Sequence, residues 1–297
     1  MKAVYSDVGL GRICGLFGIT RQGYYSWLKS IKASLIQDEL ILYLVLKYRT
    51  DHPKMGVRKL YHLLQPDFKQ HGIKIGRDGL FDLLAAYNLL IVKRKRRFST
   101  TQSHHRFRKH PNLIKGITPF RANQIWVSDI TYIHHEDSFK YLFLITDAYS
   151  KKIVGYCLSD SLDSRHAVKA LQDAIQSSCQ TIDGLIHHSD RGIQYCSSAY
   201  IELLKVHGIQ ISMTENGDPR ENAIAERVNG ILKDEYLEQY DNLTQLQLDE
   251  AIRKYNQIRP HLSCNMLTPQ KAHKSKGILK RKWKNYYKYR VNQSIKL

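Results

Sequence analysis

The run Ile125-Trp126-Val127-Ser128-Asp129-Ile130-Thr131-Tyr132-Ile133 has the composition of a buried β-strand, with a carboxylate at its centre. A charge in such a place loses several kcal/mol of solvation unless it is paired or bound to a metal. The rest of the chain must therefore cover this strand and provide for Asp129. From about residue 119 the pattern agrees. Strands are expected at 125–134, 141–146, 153–158, 185–188 and 209–213, and helices at 164–177, 198–207 and 221–239. Three strands followed by alternating helix and strand predict an α/β layered domain on a mixed sheet.

Two further acids draw attention. Asp190 directly follows the fourth expected strand, in His187-His188-Ser189-Asp190-Arg191-Gly192, and 35 residues separate it from Glu226 in the last helix. Strand interior, strand end and neighbouring helix can converge on one point. An all-carboxylate cluster suits hard divalent cations, Mg²⁺ or Mn²⁺, rather than zinc. Two such ions about 4 Å apart can activate a nucleophile and stabilise the leaving oxygen of a phosphodiester. Taken singly, each acid also has a plainer reading. Asp190 fits a turn former or helix cap, a role for which Ser197 competes, and Glu226 fits a solvated helix face. Asn222, Glu226, Asn229 and Lys233 recur at helical spacing as one polar strip, while Ile224, Val228 and Ile231 form a face to be buried. Lys233 stands about 10 Å along the axis from Glu226. It is expected to contact DNA flanking a reacting phosphate, with an intrahelical pair to Asp234 or Glu235 as the alternative.

Charge identifies the polymer. The net charge is +19, yet residues 93–110 hold eight Lys or Arg and residues 271–297 hold ten, with no acid in either segment. Clustered positive charge is the footprint of nucleic-acid binding, a solubilising or membrane-facing surface being the alternative. Residues 93–118 read as an exposed basic linker in which Lys93, Arg94, Lys95, Arg96 and Arg97 track phosphates. Residues 276–297 interleave aromatic and basic side chains, a pattern for stacking on bases or for a tail packed on the core. Five scattered cysteines with no CxxC pair argue against a disulfide framework or a zinc site. With no secretory signal evident and no membrane-length apolar run, a soluble cytoplasmic protein is expected.

The first 92 residues read as helical. Two short helices are expected over residues 10–27, joined at Gly18, with Thr20 capping the second. Leu16, Ile19, Tyr24 and Trp27 are expected to form the shared core of a helix-turn-helix, a simple hairpin being the alternative. Further periodic stretches run from 38 to 92, punctuated at His52-Pro53 and Gly72.

Several segments together resemble one family. They are Trp126-Val127-Ser128-Asp129-Ile130-Thr131-Tyr132, Thr146-Asp147-Ala148-Tyr149-Ser150-Lys151-Lys152-Ile153-Val154-Gly155, His188-Ser189-Asp190-Arg191-Gly192-Ile193-Gln194-Tyr195, Glu221-Asn222-Ala223-Ile224-Ala225-Glu226 and Tyr255-Asn256-Gln257-Ile258-Arg259-Pro260-His261. They resemble the DDE integrase-type transposases of bacterial insertion sequences, in particular the OrfB product of the IS-three family. His52-Pro53-Lys54-Met55-Gly56-Val57-Arg58-Lys59-Leu60 resembles that family's helical region before the core. The resemblance implies an RNase H-like integrase core at 119–275 on a mixed five-stranded sheet, preceded by a helix-turn-helix-type domain. It implies that Asp129, Asp190 and Glu226 hold two Mg²⁺ ions, with Mn²⁺ able to substitute, and cut and join double-stranded DNA at element ends and target. Lys233 matches the family's basic position seven residues after the glutamate. An OrfA-type partner or fusion, homo-oligomerisation on DNA and nucleoid association are implied as well. The chain departs from the family at Gly217-Asp218-Pro219-Arg220, which is expected to alter a loop and not the ligands. A DNA-binding regulator without catalysis, a decayed transposase and an RNase H-type nuclease are the alternative functions.

Overall fold

The structure, a computed structural model, describes residues 8–91, 109–135, 138–178, 182–215 and 221–282. It divides into two compact units, one made of residues up to Thr50 together with Leu60–Leu90, the other of Asp51–Lys59 together with Ile91 onward.

The first unit contains α1 (Leu10–Leu16), α2 (Arg21–Asp51, of which the last residue belongs to the second unit), α3 (Val57–Gln70, from Leu60) and α4 (Arg77–Ala86). Gly18 turns the chain between α1 and α2 at φ 65°, a conformation that suits glycine. Thr20 Oγ1 accepts from the Gly23 amide at 3.0 Å, as a cap should. The second helix is not short, however. It runs for 31 residues and absorbs the stretch expected to begin a separate helix near 38. Nor do Leu16, Ile19, Tyr24 and Trp27 make a core: Leu16 is 83% exposed and Trp27 57%. Apart from Cys14 in α1, the buried hydrophobic residues of this unit lie further along, among them Ile41, Leu44, Leu60, Leu64, Leu80 and Leu84. The Tyr48 hydroxyl donates to Asp67 (2.8 Å) and the Arg49 guanidinium to the Leu89 carbonyl (2.6 Å).

The second unit is built on β1 (Ile125–His135), β2 (Ser138–Asp147), β3 (Ile153–Ser159), β4 (Ile186–Ser189) and β5 (Gln210–Met213), ordered β3-β2-β1-β4-β5. The first three strands pair antiparallel, while β1–β4 and β4–β5 are parallel. Helices cover both faces. On one lie α5 (Ser164–Ser177), α6 (Ile193–Cys196) and α7 (Ser198–Val206), which bury Trp126, Phe143, Ile145, Leu171, Tyr200 and Leu204 together. On the other lie α8 (Ala223–Leu232), a π-helical turn at Lys233–Leu237 and α9 (Gln245–Gln257), around Ile133, Leu142, Leu144, Val228, Ile252 and Tyr255. A 3₁₀ turn (Leu262–Cys264) and α10 (Pro269–His273) complete the unit. Alternation along β1 sets its two faces: Trp126 points to α5 and α7, and Val127 and Asp129 point to α8.

The expected helix over 221–239 is interrupted. After Leu232 the backbone widens by one residue, and the Glu238 amide bonds to the Lys233 carbonyl at 3.0 Å, five residues back. Glu235 in this turn is held by Lys59 (2.7 Å) and, in a bidentate pair, by Arg259 (2.7 Å on both oxygens). Burial pushes the Glu235 carboxyl up, but Arg259 and Lys59 together pull it down to about 2.

Two outcomes are expected. A carboxyl depressed from its ordinary value stabilises the fold in full above about pH 4.5, and that stabilisation disappears as pH falls toward 2. Urea unfolding between pH 5 and 2.5 should show this loss, on the order of 3 kcal/mol in all, and Glu235→Gln should flatten the profile. At Gly155 an added Cβ would stand 2.2 Å from the Ala170 carbonyl and 2.7 Å from the Ala174 Cβ, both backbone-fixed positions on α5. Gly155→Ala should therefore force α5 off β3 and lower unfolding free energy by about 1–3 kcal/mol or more.

Candidate active site

Parallel pairing brings two of the acids level. β1 and β4 match Ile125 with Ile186, Trp126 with His187 and Val127 with His188. Continued by two residues, this register sets Asp190 beside Asp129 on the same face of the sheet. Asp190 is the first residue past β4, and its Oδ1 accepts from the Gly192 amide at 3.0 Å, which closes the turn into α6. Glu226 comes from above, in the first turn of α8, where it is exposed to solvent. Asp129 and Asp190 are half-buried.

The side chains that dock α8 on β1 come from the polar strip. Asn222 Nδ2 donates to the Ser128 carbonyl (2.9 Å), Asn229 Nδ2 to Asp129 Oδ2 (2.8 Å) and Lys233 Nζ to the Tyr132 carbonyl (2.6 Å). Both asparagines are buried. Asn222, Asn229 and Lys233 of the strip thus lie against the sheet, with the apolar face of Val228 and Ile231 packed beside them. Neither intrahelical alternative for Lys233 forms the bond it makes here. On the opposite side of β1, Ser128 Oγ lies 2.6 Å from His187 Nε2, and the Tyr200 hydroxyl 2.8 Å from the same nitrogen. Burial lowers the His187 imidazole to about 3, with neighbouring His188 adding to the effect, so this support beneath the site is neutral.

The electrostatics of Asp129 follow from this setting. Burial first, then the charge of Asp190 and, more weakly, that of Glu226 push its carboxyl up to about 7, against the hydrogen bonds from the Ile130 backbone and Asn229. Three carboxylates therefore share one field, and a divalent cation would relieve their repulsion. All three offer hard oxygen donors. The buried Asn222 Oδ1 and Asn229 Oδ1 have no protein partner beside them. Among the described residues no three acidic, His or Cys side chains already stand at ligating distance from one point.

Lys93, Arg94, Lys95, Arg96 and Arg97, like Gly217, Asp218, Pro219 and Arg220, lie outside the described residues. The docking role of Asn222 and Asn229 escaped the sequence reading. Two asparagines sharing a helical strip with a carboxylate were the signal, since Asn in a helix interior is unfavourable unless its amide is used.

Asn229→Leu should leave Asp129 without its side-chain donor and lower stability by about 1.5–3 kcal/mol. Asn229→Asp should cost more at pH 8 than at pH 5, where one of two touching carboxyls can keep a proton. Chemical denaturation at the two pH values measures both.

With the geometry in place, the chain can be compared with known proteins. Two models of the integrase core domain match it, at residues 119–219 and 207–269. A 31 kDa protein of insertion element IS600 from Shigella sonnei is 34% identical over 250 residues, 83% of this chain and 90% of that protein. The transposase for insertion sequence element IS629 from Shigella sonnei is 33% identical over 186 residues, 63% of this chain and 61% of that protein. Among solved structures, the HTLV-2 integrase catalytic core domain in complex with magnesium aligns over 52% of this chain and 97% of that one, at 22% identity and a TM-score of 0.43. The chain belongs to the integrase-core transposases of bacterial insertion sequences.

Proposed function

We propose that Asp129, Asp190 and Glu226 are the catalytic carboxylates with which this transposase cleaves the 3′ ends of its insertion element and joins them to target DNA. One observation carries the assignment: parallel register sets Asp190 level with Asp129, and Asn229 ties the helix bearing Glu226 to the Asp129 carboxylate itself. Integrase-core enzymes are metal-dependent, and the three acids would hold two Mg²⁺ ions, Mn²⁺ being an acceptable substitute by the same donor chemistry. When bound, such ions supply the Lewis acidity that activates an attacking oxygen and stabilises a leaving one.

The chain's own residues contribute position and charge. Asn229 and the Ile130 backbone hold the Asp129 carboxylate in place by hydrogen bonds. The Gly192 amide restrains Asp190 in the same way. Asn222 and Lys233 hold the two ends of α8, the helix that carries Glu226, to the β1 backbone. No covalent bond between protein and DNA is needed, because water and then the freed 3′-hydroxyl are the nucleophiles.

DNA contact is assigned to Lys233 and to the basic segment of Lys93, Arg94, Lys95, Arg96 and Arg97. Lys233 has one N–H on the Tyr132 carbonyl and two others to offer. Homo-oligomerisation on DNA, an OrfA-type partner or fusion, and a cytoplasmic, nucleoid-associated setting complete the reading. No helix among the described residues is long and apolar enough to cross a membrane.

Asp129→Asn, Asp190→Asn and Glu226→Gln, made singly, test the assignment on duplexes carrying the inverted repeats that flank the reading frame. Each should lower Mg²⁺-dependent cleavage and joining by at least about a hundredfold while DNA affinity stays within a few-fold. Near-full activity in all three would sink it. Salt-dependent binding by the wild type, with no metal-dependent chemistry even beside its upstream partner, would make the chain a DNA-binding regulator instead.

A further inference from the structure

Asp51–Lys59 lies ahead of the integrase core with 59 residues between them in sequence, yet belongs to the same compact unit. It bonds to three residues of one turn. Lys59 Nζ donates to Glu235 Oε1 (2.7 Å), His52 Nδ1 lies 2.8 Å from the Tyr236 hydroxyl, and Lys54 Nζ donates to Glu238 Oε2 (2.7 Å). Those three residues lie in, or cap, the π-helical turn that continues α8. His52, Met55 and Val57 are buried, so the segment is seated and not laid on the surface. From the other side Arg259 closes a fork on Glu235 and lies 5.7 Å from the Tyr255 ring centroid.

Ionisation of Glu235 favours the fold over the protonated form, but a buried ion triad gains little over well-packed apolar side chains of the same volume, because desolvation offsets most of the attraction. What it gives is geometry, since a bidentate pair fixes both distance and orientation. The turn it fixes begins at Lys233, seven residues after Glu226, in a helix whose rotation decides where Glu226 points. We propose that Lys59 and Glu235 are positioning residues of the active site, with Asp51–Lys59 clamping the π-turn so that α8 holds Glu226 over Asp129 and Asp190. The inference rests on the assignment of those three acids. Neither residue touches DNA in this role; both act through the helix.

Lys59→Met tests it. This variant removes one cation and leaves the Glu235–Arg259 pair intact, whereas Glu235→Gln would leave two buried cations short of a charge. Three readouts on the full chain decide: circular dichroism for folding, hydrogen exchange of the amides in 223–237, and steady-state cleavage of element-end duplexes. Lys59→Met should fold, exchange faster through 223–237, bind the duplex within about twofold and lose about tenfold or more in kcat with KM little changed. Lys59→Arg should restore both exchange and kcat. Unchanged exchange in folded Lys59→Met overturns the clamp whatever happens to activity. So does a loss carried by KM alone, or a loss that Lys59→Arg fails to recover. Should Lys59→Met not fold, Lys54→Met with His52→Phe removes the two outer contacts and is judged on the same exchange readout. Glu226→Gln, run alongside, separates the two claims: wild-type turnover there defeats the site assignment, while an inactive Glu226→Gln beside a wild-type-like Lys59→Met defeats the clamp alone.

Discussion

The contact between Asn229 and Asp129 is the interaction on which the arrangement of the site depends. A helix laid on a sheet is ordinarily held by an apolar stripe, and apolar burial is non-directional, so it tolerates small slides and rotations. α8 has such a stripe in Val228 and Ile231. Beside it run three hydrogen bonds, to the Ser128 carbonyl, the Asp129 carboxylate and the Tyr132 carbonyl, from Asn222, Asn229 and Lys233. Hydrogen bonds weaken steeply with distance and angle. Together the three set the height and rotation of the helix along β1, and the central one ends on a carboxylate of the site. The docking of α8 and the geometry of the proposed active site are thus one construction.

Burial is graded across the three acids, which is how the cluster is tolerated. Burial is the largest influence on the Asp129 carboxyl, and the Asn229 amide bonds to it in compensation. Asp190 stands at a strand end with an amide on one oxygen, and Glu226 reaches the field from solvent. Three equally buried carboxylates would repel one another in a low dielectric with no room to relax. Leaving Glu226 in solvent beside two half-buried aspartates limits that repulsion and concentrates negative charge where a cation can enter. The neutral His187 beneath Ser128 keeps the far side of β1 from adding a positive charge that would compete for Asp129.

Much of this was legible in the sequence, and the gaps have physical causes. The strands of the core appear within a few residues of where alternation put them, and α5 has the bounds that its apolar period predicted. Asp129 stood out because a charge in an apolar strand has no cheap structural reading. Its closeness to Asp190 did not follow from the residues, because parallel pairing is fixed by long-range topology and not by any local signal. The polar strip of α8 was legible as a strip, but the acceptors of Asn222, Asn229 and Lys233 on β1 were not, since they are set by how the helix docks on the sheet. α9 was missed although Thr244 and Gln247 form a capping box ahead of Leu248, Ala251, Ile252 and Tyr255, a spacing that marks a buried helix face. The opposite error occurred near the N-terminus, where apolar spacing around Leu16 and Trp27 suggested a core and the side chains stay exposed.

The π-turn explains why one helix can serve two masters. Residues two apart on a helix project in nearly opposite directions, so Lys233 and Glu235 cannot face the same neighbour. Lys233 bonds to β1, and Glu235 turns away to Lys59 and Arg259. A helix anchored on one face only can still rock about that contact, and the group at its far end moves most. Anchoring on opposite faces, within one widened turn, removes that freedom. The extra residue in the turn, accommodated by the Glu238–Lys233 backbone bond, lets both side chains reach their partners without distorting the regular helix that carries Glu226. The irregularity lies just beyond the site, where it fixes the helix and leaves the three carboxylates on undistorted elements.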